Sequence, residues 1–303
     1  MPLHEVFAAA LEAGRRAGRP ALSQGSVSEA RALVDDGAKA LGPGPDVWAV
    51  QEHVIPTRSG SINARLYKPT AQAPGLIVYF HGGGWVAGSA SGFDALARTL
   101  AVRSGCAVLN VDYRLAPEHP FPGGLEDAED ALRWAHGQRD VLAGEAAKLV
   151  VAGDSAGGNL ATVAALALRT EFEIALQVLF YPVTDADMTT PSYGEHGQGL
   201  LLTRADMAWF FSLYAPEKLW THPRISPLRA DLRGAPAAWI AMAEYDVLCS
   251  EGQAYAQRLA QADVSVQVRT YAGTTHGFAR WFNLVDTNAA LDDAAQAIRA
   301  ACA

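Results

Sequence analysis

The chain contains 303 residues, half of them hydrophobic, and carries a formal net charge of −8. This length and apolar content allow one large buried core or two closely joined ones. The negative charge, with no lysine- and arginine-rich stripe, argues against nucleic acid as a partner, and no stretch approaches the roughly 20 apolar residues of a membrane span.

Cysteine usage and the first residues bear on the compartment. Cys106, Cys249 and Cys302 lie far apart, without the CxxC or CxxH spacing of a zinc site, and they do not form a disulfide framework pattern. We therefore expect a reducing, cytoplasmic location. The first stretch, MPLHEVFAAALEAGRRAG, interrupts its apolar positions with charges and predicts an amphipathic helix instead of a signal peptide.

A second pattern begins near residue 49, where short apolar runs alternate with helical stretches. QEHVIPT and SINARLY flank RSG and predict an antiparallel hairpin at a sheet edge. Six later runs predict strands, namely residues 75–80, 106–111, 148–152, 176–181, 237–243 and 264–271. The intervening stretches of helical length and period are residues 91–103, 125–137, 156–169 and 250–262. Because several of the strands are apolar throughout, the sequence predicts a mostly parallel α/β sheet flanked by helices.

Two segments depart from this alternation, residues 1 to about 48 and residues from about 186 to 224. Both have helical patterns, and the second contains LTRADMAWFFSLYAP with its aromatic stripe. Ligands bind beyond the carboxyl ends of the strands in such sheets, so extra helices could cover a site there. On periodicity alone, an embellished sheet edge is an equally good interpretation.

The motif GDSAGGN, residues 153–159, follows the apolar run KLVVA and precedes a strongly helical stretch. Glycines two residues to either side of Ser155 suit a tight strand-to-helix turn. Such a turn is either merely structural or exposes the hydroxyl as a nucleophile. The G-x-S-x-G match alone is weak evidence, because glycine and serine are common.

The triple glycine of HGGGW, residues 81–85, follows the first buried strand. Three consecutive glycines are entropically costly in a simple turn, but they let backbone N–H groups approach a small ligand. Such donors stabilise the oxyanion that forms when a nucleophile attacks an ester carbonyl. We expect the oxyanion donors to be the amides of Gly83, Gly84 and Ala156, with His81 supporting the loop.

An acid and a histidine follow two later strands. Asp246 comes after AAWIAMAEY, and His276 comes after VSVQVRTYAGTT. Either residue alone could be an ordinary loop residue. The chain order serine, acid, histidine, with each residue at the end of a strand, is the order that a nucleophile elbow with a glycine loop requires.

Together these motifs resemble the hormone-sensitive-lipase-like family of α/β-hydrolases. The matching stretches are HGGGW at 81–85, DYRLAPEHPFP at 112–122, GDSAGGN at 153–159, EYDVLCSEG at 244–252 and HGF at 276–278. The resemblance covers nearly the whole chain and implies an α/β-hydrolase fold with a helical cap. The implied division is an N-terminal cap segment 1–48, a core part 49–185, a cap insertion 186–224 and a second core part 225–303. Cys249 and Ser250 stand where relatives often carry a charged pair, whereas Glu251 is retained.

The resemblance implies a carboxylesterase in which Ser155 is the nucleophile, His276 is the base and Asp246 orients that base. In such a mechanism the imidazole removes the serine proton, and the carboxylate fixes its tautomer and stabilises the imidazolium. The reaction requires no cofactor and no metal.

The expected ligand is a small-molecule acyl ester of short to medium chain length. Four aromatic residues are candidates for its pocket: Trp85, Trp209, Phe210 and Tyr214. The same triad could hydrolyse an amide or formamide, and relatives of this fold that have lost a triad residue bind small molecules as receptors. The last strand could pair with a second copy in a homodimer, or helices could cover it.

Overall fold

Eight strands form one sheet in the computed structural model, which describes residues 1–303. The strands are β1 (Ala49–Thr57), β2 (Gly60–Lys68), β3 (Gly75–Phe80), β4 (Ala107–Asp112), β5 (Lys148–Asp154), β6 (Leu176–Phe180), β7 (Ala238–Tyr245) and β8 (Val266–Thr275). Their spatial order is β1-β2-β4-β3-β5-β6-β7-β8. β1 and β2 form a hairpin and β2 pairs antiparallel with β4, whereas all the later pairs are parallel. The predicted mostly parallel sheet with a hairpin at its edge is confirmed.

Helices cover both faces of the sheet. They are α1 (Glu5–Arg16), α2 (Val27–Ala40), α3 (Asp94–Ser104), α4 (Gly123–Leu142), α5 (Ala156–Leu168), α6 (Pro191–His196), α7 (Arg204–Tyr214), α8 (Cys249–Gln261) and α9 (Val285–Cys302). Side chains of α4, α5 and α8 pack in one hydrophobic cluster, and those of α3 and α9 pack in a second. No sequence pattern predicted α9. No helix combines the length and the hydropathy that crossing a bilayer requires.

The central strand β3 shows why these apolar runs form buried strands. Leu76 and Val78 belong to the first hydrophobic cluster, and Ile77 and Tyr79 belong to the second. Since successive side chains of a strand point to opposite faces, a continuously apolar run fills the space on both sides of the sheet.

The chain changes its direction of travel across the sheet at β3. β4 lies on one side of β3 and β5 lies on the other, so the connections that leave the carboxyl ends of β3 and β5 diverge. A crevice opens at such a switch point, and α/β sheets bind their ligands there. The glycine loop 81–85 follows β3 and Ser155 follows β5, which brings both motifs to this crevice.

Segments 1–48 and 186–224 contribute no strand to the sheet. The first contains α1 and α2, and the second contains α6 and α7. The two segments meet where the Ser23 amide donates to Asp206 Oδ1 at 2.8 Å. Both border the crevice, since residues of each line the cavity in front of Ser155.

Arg31 on α2 ties the N-terminal segment to the core. Its Nε donates to the Val86 carbonyl at 2.8 Å, and its two amino groups lie 2.8 and 2.6 Å from the carboxylate oxygens of Glu118. The same side chain also donates to the Ala116 carbonyl. One residue of α2 therefore connects this helix both to the segment that follows the glycine loop and to the 112–122 loop.

Candidate active site

Ser155 stands on a sharp turn between β5 and α5. Its backbone has φ 55° and ψ −121°, a conformation that residues with a side chain rarely adopt. Glycines make the turn possible, because a side chain at Gly153 would collide with the Gly157 carbonyl, and one at Gly157 would collide with the Phe80 carbonyl. The Ser155 amide donates to the Phe180 carbonyl at 2.9 Å. The turn is thus held from neighbouring strands and presents the hydroxyl at the crevice.

His276 and Asp246 extend a hydrogen-bonded line that begins at the Ser155 hydroxyl. Ser155 Oγ lies 2.9 Å from His276 Nε2, and His276 Nδ1 lies 2.7 Å from Asp246 Oδ2. The Asp246 side chain is fully buried, and its other oxygen accepts the Leu248 amide at 3.0 Å. Since Nδ1 faces a carboxylate, the proton of the neutral imidazole belongs on Nδ1. Nε2 is then free to accept the serine proton.

The sheet brings the acid and the histidine together. Asp246 directly follows β7 and His276 directly follows β8, and these strands are parallel neighbours in which Tyr245 pairs with Thr275. The Tyr181 ring packs beside the imidazole, with centroids 4.8 Å apart. The strand register therefore sets the distance between the two side chains before any ligand binds.

The glycine loop presents backbone donors to the same crevice. The amides of Gly83, Gly84 and Ala156 donate to no acceptor within the protein. Gly83 and Gly84 have φ values of 126° and 63°, and both line the cavity in front of Ser155. A side chain at Gly83 would meet the Ala87 carbonyl, and one at Gly84 would meet the Phe210 ring. Free N–H groups close to a nucleophile are what a developing oxyanion needs.

Asp154 fastens the glycine loop to the serine turn, and the sequence analysis did not single it out. Its Oδ1 accepts the Gly82 amide at 2.8 Å and the Tyr79 hydroxyl at 2.7 Å. Burial raises the pKa of the Asp154 carboxyl. Its place directly before the serine of the motif was the available signal. These contacts fix the loop donors relative to Ser155.

His81 supports the loop from the other side. Its Nδ1 lies 2.8 Å from the Gly82 carbonyl, and its ring stacks on Tyr113 with centroids 4.5 Å apart. Burial lowers the pKa of the His81 imidazole. The ring lies within the protein, with no bond to Ser155, as a supporting role requires.

A cavity of about 320 Å³ opens in front of Ser155 and His276. Apolar side chains form most of its wall. The N-terminal segment supplies Leu22, Leu33, Val34 and Leu41, and the insertion supplies Leu201, Leu202, Met207 and Phe210. Apart from Phe210, no motif in the sequence marks these residues, and an amphipathic helix pattern could have indicated only those that lie in α2 and α7.

Of the four aromatic residues predicted for the pocket, only Phe210 lines this cavity. The prediction is corrected for Trp85, Trp209 and Tyr214. Trp85 is buried and stacks on Tyr214, with ring centroids 4.3 Å apart and planes 4° from parallel. Tyr214 lies one helical turn beyond Phe210, where it meets Trp85 instead of the crevice. Trp209 is about 100° around the helix from Phe210 and packs against its ring from the side.

Ser250 joins the core to the insertion. The Ser192 amide donates to Ser250 Oγ at 3.0 Å, and the Ser250 amide donates to Ser192 Oγ at 3.1 Å. This reciprocal pair links α6 to the start of α8.

Comparisons with known proteins agree with this fold. The family model described as the alpha/beta hydrolase fold matches residues 77–280. The chain is 38% identical over 291 residues to an ethyl acetate hydrolase of Pseudomonas putida, and the alignment covers 91% of each chain. It is 40% identical over 260 residues to the carboxylic ester hydrolase LipN of Mycobacterium tuberculosis, and that alignment covers 82% of this chain and 69% of LipN. A hyperthermophilic esterase from the archaeon Pyrobaculum calidifontis superimposes with a TM-score of 0.94 at 37% identity, covering 100% of both chains.

Proposed function

The chain belongs to the hormone-sensitive-lipase-like family of α/β-hydrolases, and from that premise we propose that it is a serine carboxylesterase acting on short- to medium-chain acyl esters. The observation that carries the proposal is the continuous hydrogen-bonded line from Ser155 through His276 to Asp246 at the mouth of an apolar cavity. The names of the similar proteins, an ethyl acetate hydrolase and a carboxylic ester hydrolase among them, support it. All three triad residues are retained, which disfavours a receptor without catalysis.

The proposed reaction has two steps. Ser155 Oγ attacks the ester carbonyl carbon while its proton passes to His276 Nε2. The bond to the alcohol oxygen then breaks, and the alcohol leaves with that proton. Water next gives a proton to the same nitrogen, attacks the acyl-enzyme and releases the acid, while Ser155 regains its proton. Asp246 stabilises the imidazolium in both steps.

The amides of Gly83, Gly84 and Ala156 are proposed to bind the oxyanion in each step. They are already in place without a ligand, because Asp154 and the glycine φ values hold the loop. Loss of one such donor typically costs about 3 to 4 kcal/mol of transition-state stabilisation. Ala156 also opens α5, whose N-terminal end carries a positive partial charge that favours the oxyanion.

We propose that segments 1–48 and 186–224 form a cap that limits the acyl chain. The cavity of about 320 Å³ is lined on the side of these segments by apolar residues, among them Phe210, whose ring lies against Gly84. A chain that exceeds this volume would have to displace the cap. This supports a preference for small esters, because a pocket discriminates by the apolar volume that it can enclose.

A series of p-nitrophenyl esters of increasing acyl length tests the proposal, with p-nitroanilides of the same acids beside them. We expect kcat/KM to be highest at about two to six acyl carbons and to fall steeply beyond about ten, with no activation by emulsified triglyceride. Ser155→Ala should abolish turnover of every ester. A maximum at long chains would contradict the cap's role, and faster turnover of the anilides would make the protein an amide hydrolase.

We also propose a reducing, cytoplasmic location and a homodimer. All three cysteines are free thiols, which is typical of a reducing compartment. β8 is an edge strand, and its Val268 is 47% exposed, which supports pairing with a second copy. Light scattering on the eluted protein measures its mass, and a value of 32.1 kDa would contradict the dimer.

A further inference from the structure

Arg280 carries the one guanidinium on the wall of the cavity in front of Ser155. It ends the short 3₁₀ turn Phe278–Arg280, four residues after His276. The same side chain also lines a neighbouring cavity of about 380 Å³, which is bordered by the hydroxyls of Ser89 and Ser91. The guanidinium therefore stands at the boundary between the apolar ester site and a polar pocket.

Two contacts hold this guanidinium in place. Its Nη2 donates to the Gly92 carbonyl at 2.9 Å, and its Cζ lies 4.1 Å from the centroid of the Phe93 ring. An aromatic face attracts a cation, so the ring supports the side chain without neutralising it. A group that is held before binding loses little conformational freedom when a ligand arrives.

No carboxylate of the protein forms an ion pair with Arg280. Its only hydrogen bond is the one from Nη2 to the Gly92 carbonyl, so the N–H groups of Nε and Nη1 remain free to donate to a ligand. On the wall of the ester site, Asp154 uses Oδ1 for Tyr79 and Gly82 and lies beyond ion-pair distance of the guanidinium. The two charges still interact at longer range, because Arg280 partly offsets the rise that burial causes in the Asp154 pKa.

The two carboxylates of the polar pocket do not pair with Arg280 either. Asp94 is bonded to Arg98 at 2.6 Å and lies 3.5 Å from Arg65, and Asp35 forms no ion pair. The guanidinium thus faces the two cavities with no carboxylate within ion-pair distance.

A neutral acyl chain has no need of a cation in its pocket, and an unpaired charge beside an apolar wall carries a desolvation cost. The planar fork of a guanidinium matches the two oxygens of a carboxylate, and the pairing is strong where water is excluded. We propose that Arg280 recognises a carboxylate on the substrate. The preferred substrates are then esters with a free carboxylate on their acyl or alcohol part. The inference rests on the proposed esterase function.

The test is a ratio of two kcat/KM values, measured with matched esters. One arm compares monomethyl esters of dicarboxylic acids, over a range of lengths, with methyl esters of alkanoic acids of equal length. The other arm compares acetate esters of hydroxy acids with acetates of the corresponding alcohols. In wild-type protein, kcat/KM should be higher for the carboxylate ester in one arm. That arm shows whether Arg280 binds a carboxylate on the acyl part or on the alcohol part of the substrate. Added salt should weaken this preference.

Arg280→Gln should lower the ratio about tenfold or more, and Arg280→Lys, which keeps the charge without the fork, should lower it less. Arg233→Gln removes the same charge from an exposed site, where the side chain is 81% exposed and paired with Asp231, and should leave the ratio unchanged. A wild-type ratio at or below one in both arms would overturn the inference, and so would an equal ratio in wild type and Arg280→Gln. Hydrolysis of neutral acetates that disappears in Ser155→Ala reports separately on the esterase function.

Discussion

The proposed catalytic residues and the two helical segments that border the same cavity are built in different ways. Ser155, Asp246 and His276 each stand at the end of a strand, and the sheet places them within 2.9 Å of one another along the line. The covering helices contribute apolar side chains to the cavity wall and are fastened at a few polar points, such as Arg31 and Asp206.

This difference follows from what each region has to do. Proton transfer requires atoms at hydrogen-bond distance, and a rigid sheet with short connections supplies such placement. Selection of a substrate by size requires only an enclosed volume, which helices with interchangeable apolar residues supply. Substitutions in the first region should therefore change the rate, and substitutions in the second should change stability and the range of substrates.

The largest effect is expected where the sheet places the reacting groups. Ser155→Ala and His276→Ala should each lower kcat by a factor on the order of 10⁴ to 10⁶, and the double variant should be no worse than the more impaired single variant. The two side chains act as one unit, because the hydroxyl is a weak nucleophile without the imidazole. Turnover of p-nitrophenyl acetate measures this, with circular dichroism as the folding control. Losses that multiply in the double variant would show that the two residues have separate roles.

The next effect is expected at Gly84, where the two regions touch. An alanine there would place its Cβ against the Phe210 ring at a φ of 63°, so the loop or α7 must shift. Because a proposed oxyanion donor moves with the loop, Gly84→Ala should lower kcat by roughly 10² to 10³. The double variant Gly84→Ala/Phe210→Ala, which removes the ring, should recover part of the lost rate.

Gly105→Ala is the matched control for Gly84→Ala. Gly105 has a similar φ of 74°, ends α3, and has nothing within 4 Å of the added Cβ. This variant should lose about 1 kcal/mol of stability and keep its kcat. Equal losses of kcat in the two variants would mean that backbone strain, and not the collision with Phe210, is responsible.

The core of the site could be predicted from the sequence because glycines and strand ends mark it. Ser155 lies between glycines that its turn requires, and Asp246 and His276 follow recognisable strands. The structure brings these three residues together. Arg280 carries no such mark, and the position of Asp154 beside Ser155 does not reveal its role, since both roles depend on which groups other strands and turns place around these side chains.

The cavity wall could not be predicted to the same extent. The sequence predicts that α7 is helical and aromatic, but the rotation of a helix about its axis depends on what it packs against. Trp85 takes the position beside Tyr214, and this contact decides that Phe210 is the ring that reaches the cavity. A local pattern does not contain that long-range contact.

A smaller effect is expected at the fastening point of α2. Arg31→Ala removes the ion pair with Glu118 and the hydrogen bonds to the Val86 and Ala116 carbonyls. Because the side chain is about one third exposed, we expect the free energy of unfolding to fall by only about 1 to 2 kcal/mol. The first 48 residues should be cleaved faster by proteases, and the enzyme should accept a broader range of acyl lengths. Lys39→Ala on the same helix breaks an exposed pair with Asp36 and should change none of these. Normal protection of the N-terminal segment in Arg31→Ala would show that other contacts hold it.

The smallest effect is expected beneath the insertion, at Glu251 on α8. Its Oε1 accepts the amides of Thr184 and Asp185 at 2.7 and 3.2 Å, at the point where the chain leaves β6 for the insertion. Its Oε2 has no partner. Burial raises the pKa of the Glu251 carboxyl well above its usual value of 4.5. The two amides therefore bind a group that the protein interior keeps protonated at a higher pH than water would.

The raised pKa of Glu251 makes the stability of the protein depend on pH. Below pH 4.5 the carboxyl is neutral in both states, but as the pH rises above this value the unfolded chain ionises first. The folded state then holds the additional proton, so this residue lowers stability with rising pH until its folded pKa is passed. Glu251→Gln keeps an oxygen for the two amides and cannot ionise. Its melting temperature relative to wild type should therefore rise by a few degrees between pH 5 and pH 8. Glu195→Gln changes a side chain that is 72% exposed and should show no such trend. If the difference in melting temperature between wild type and Glu251→Gln stayed constant with pH, Glu251 would have the same pKa in the folded and unfolded states.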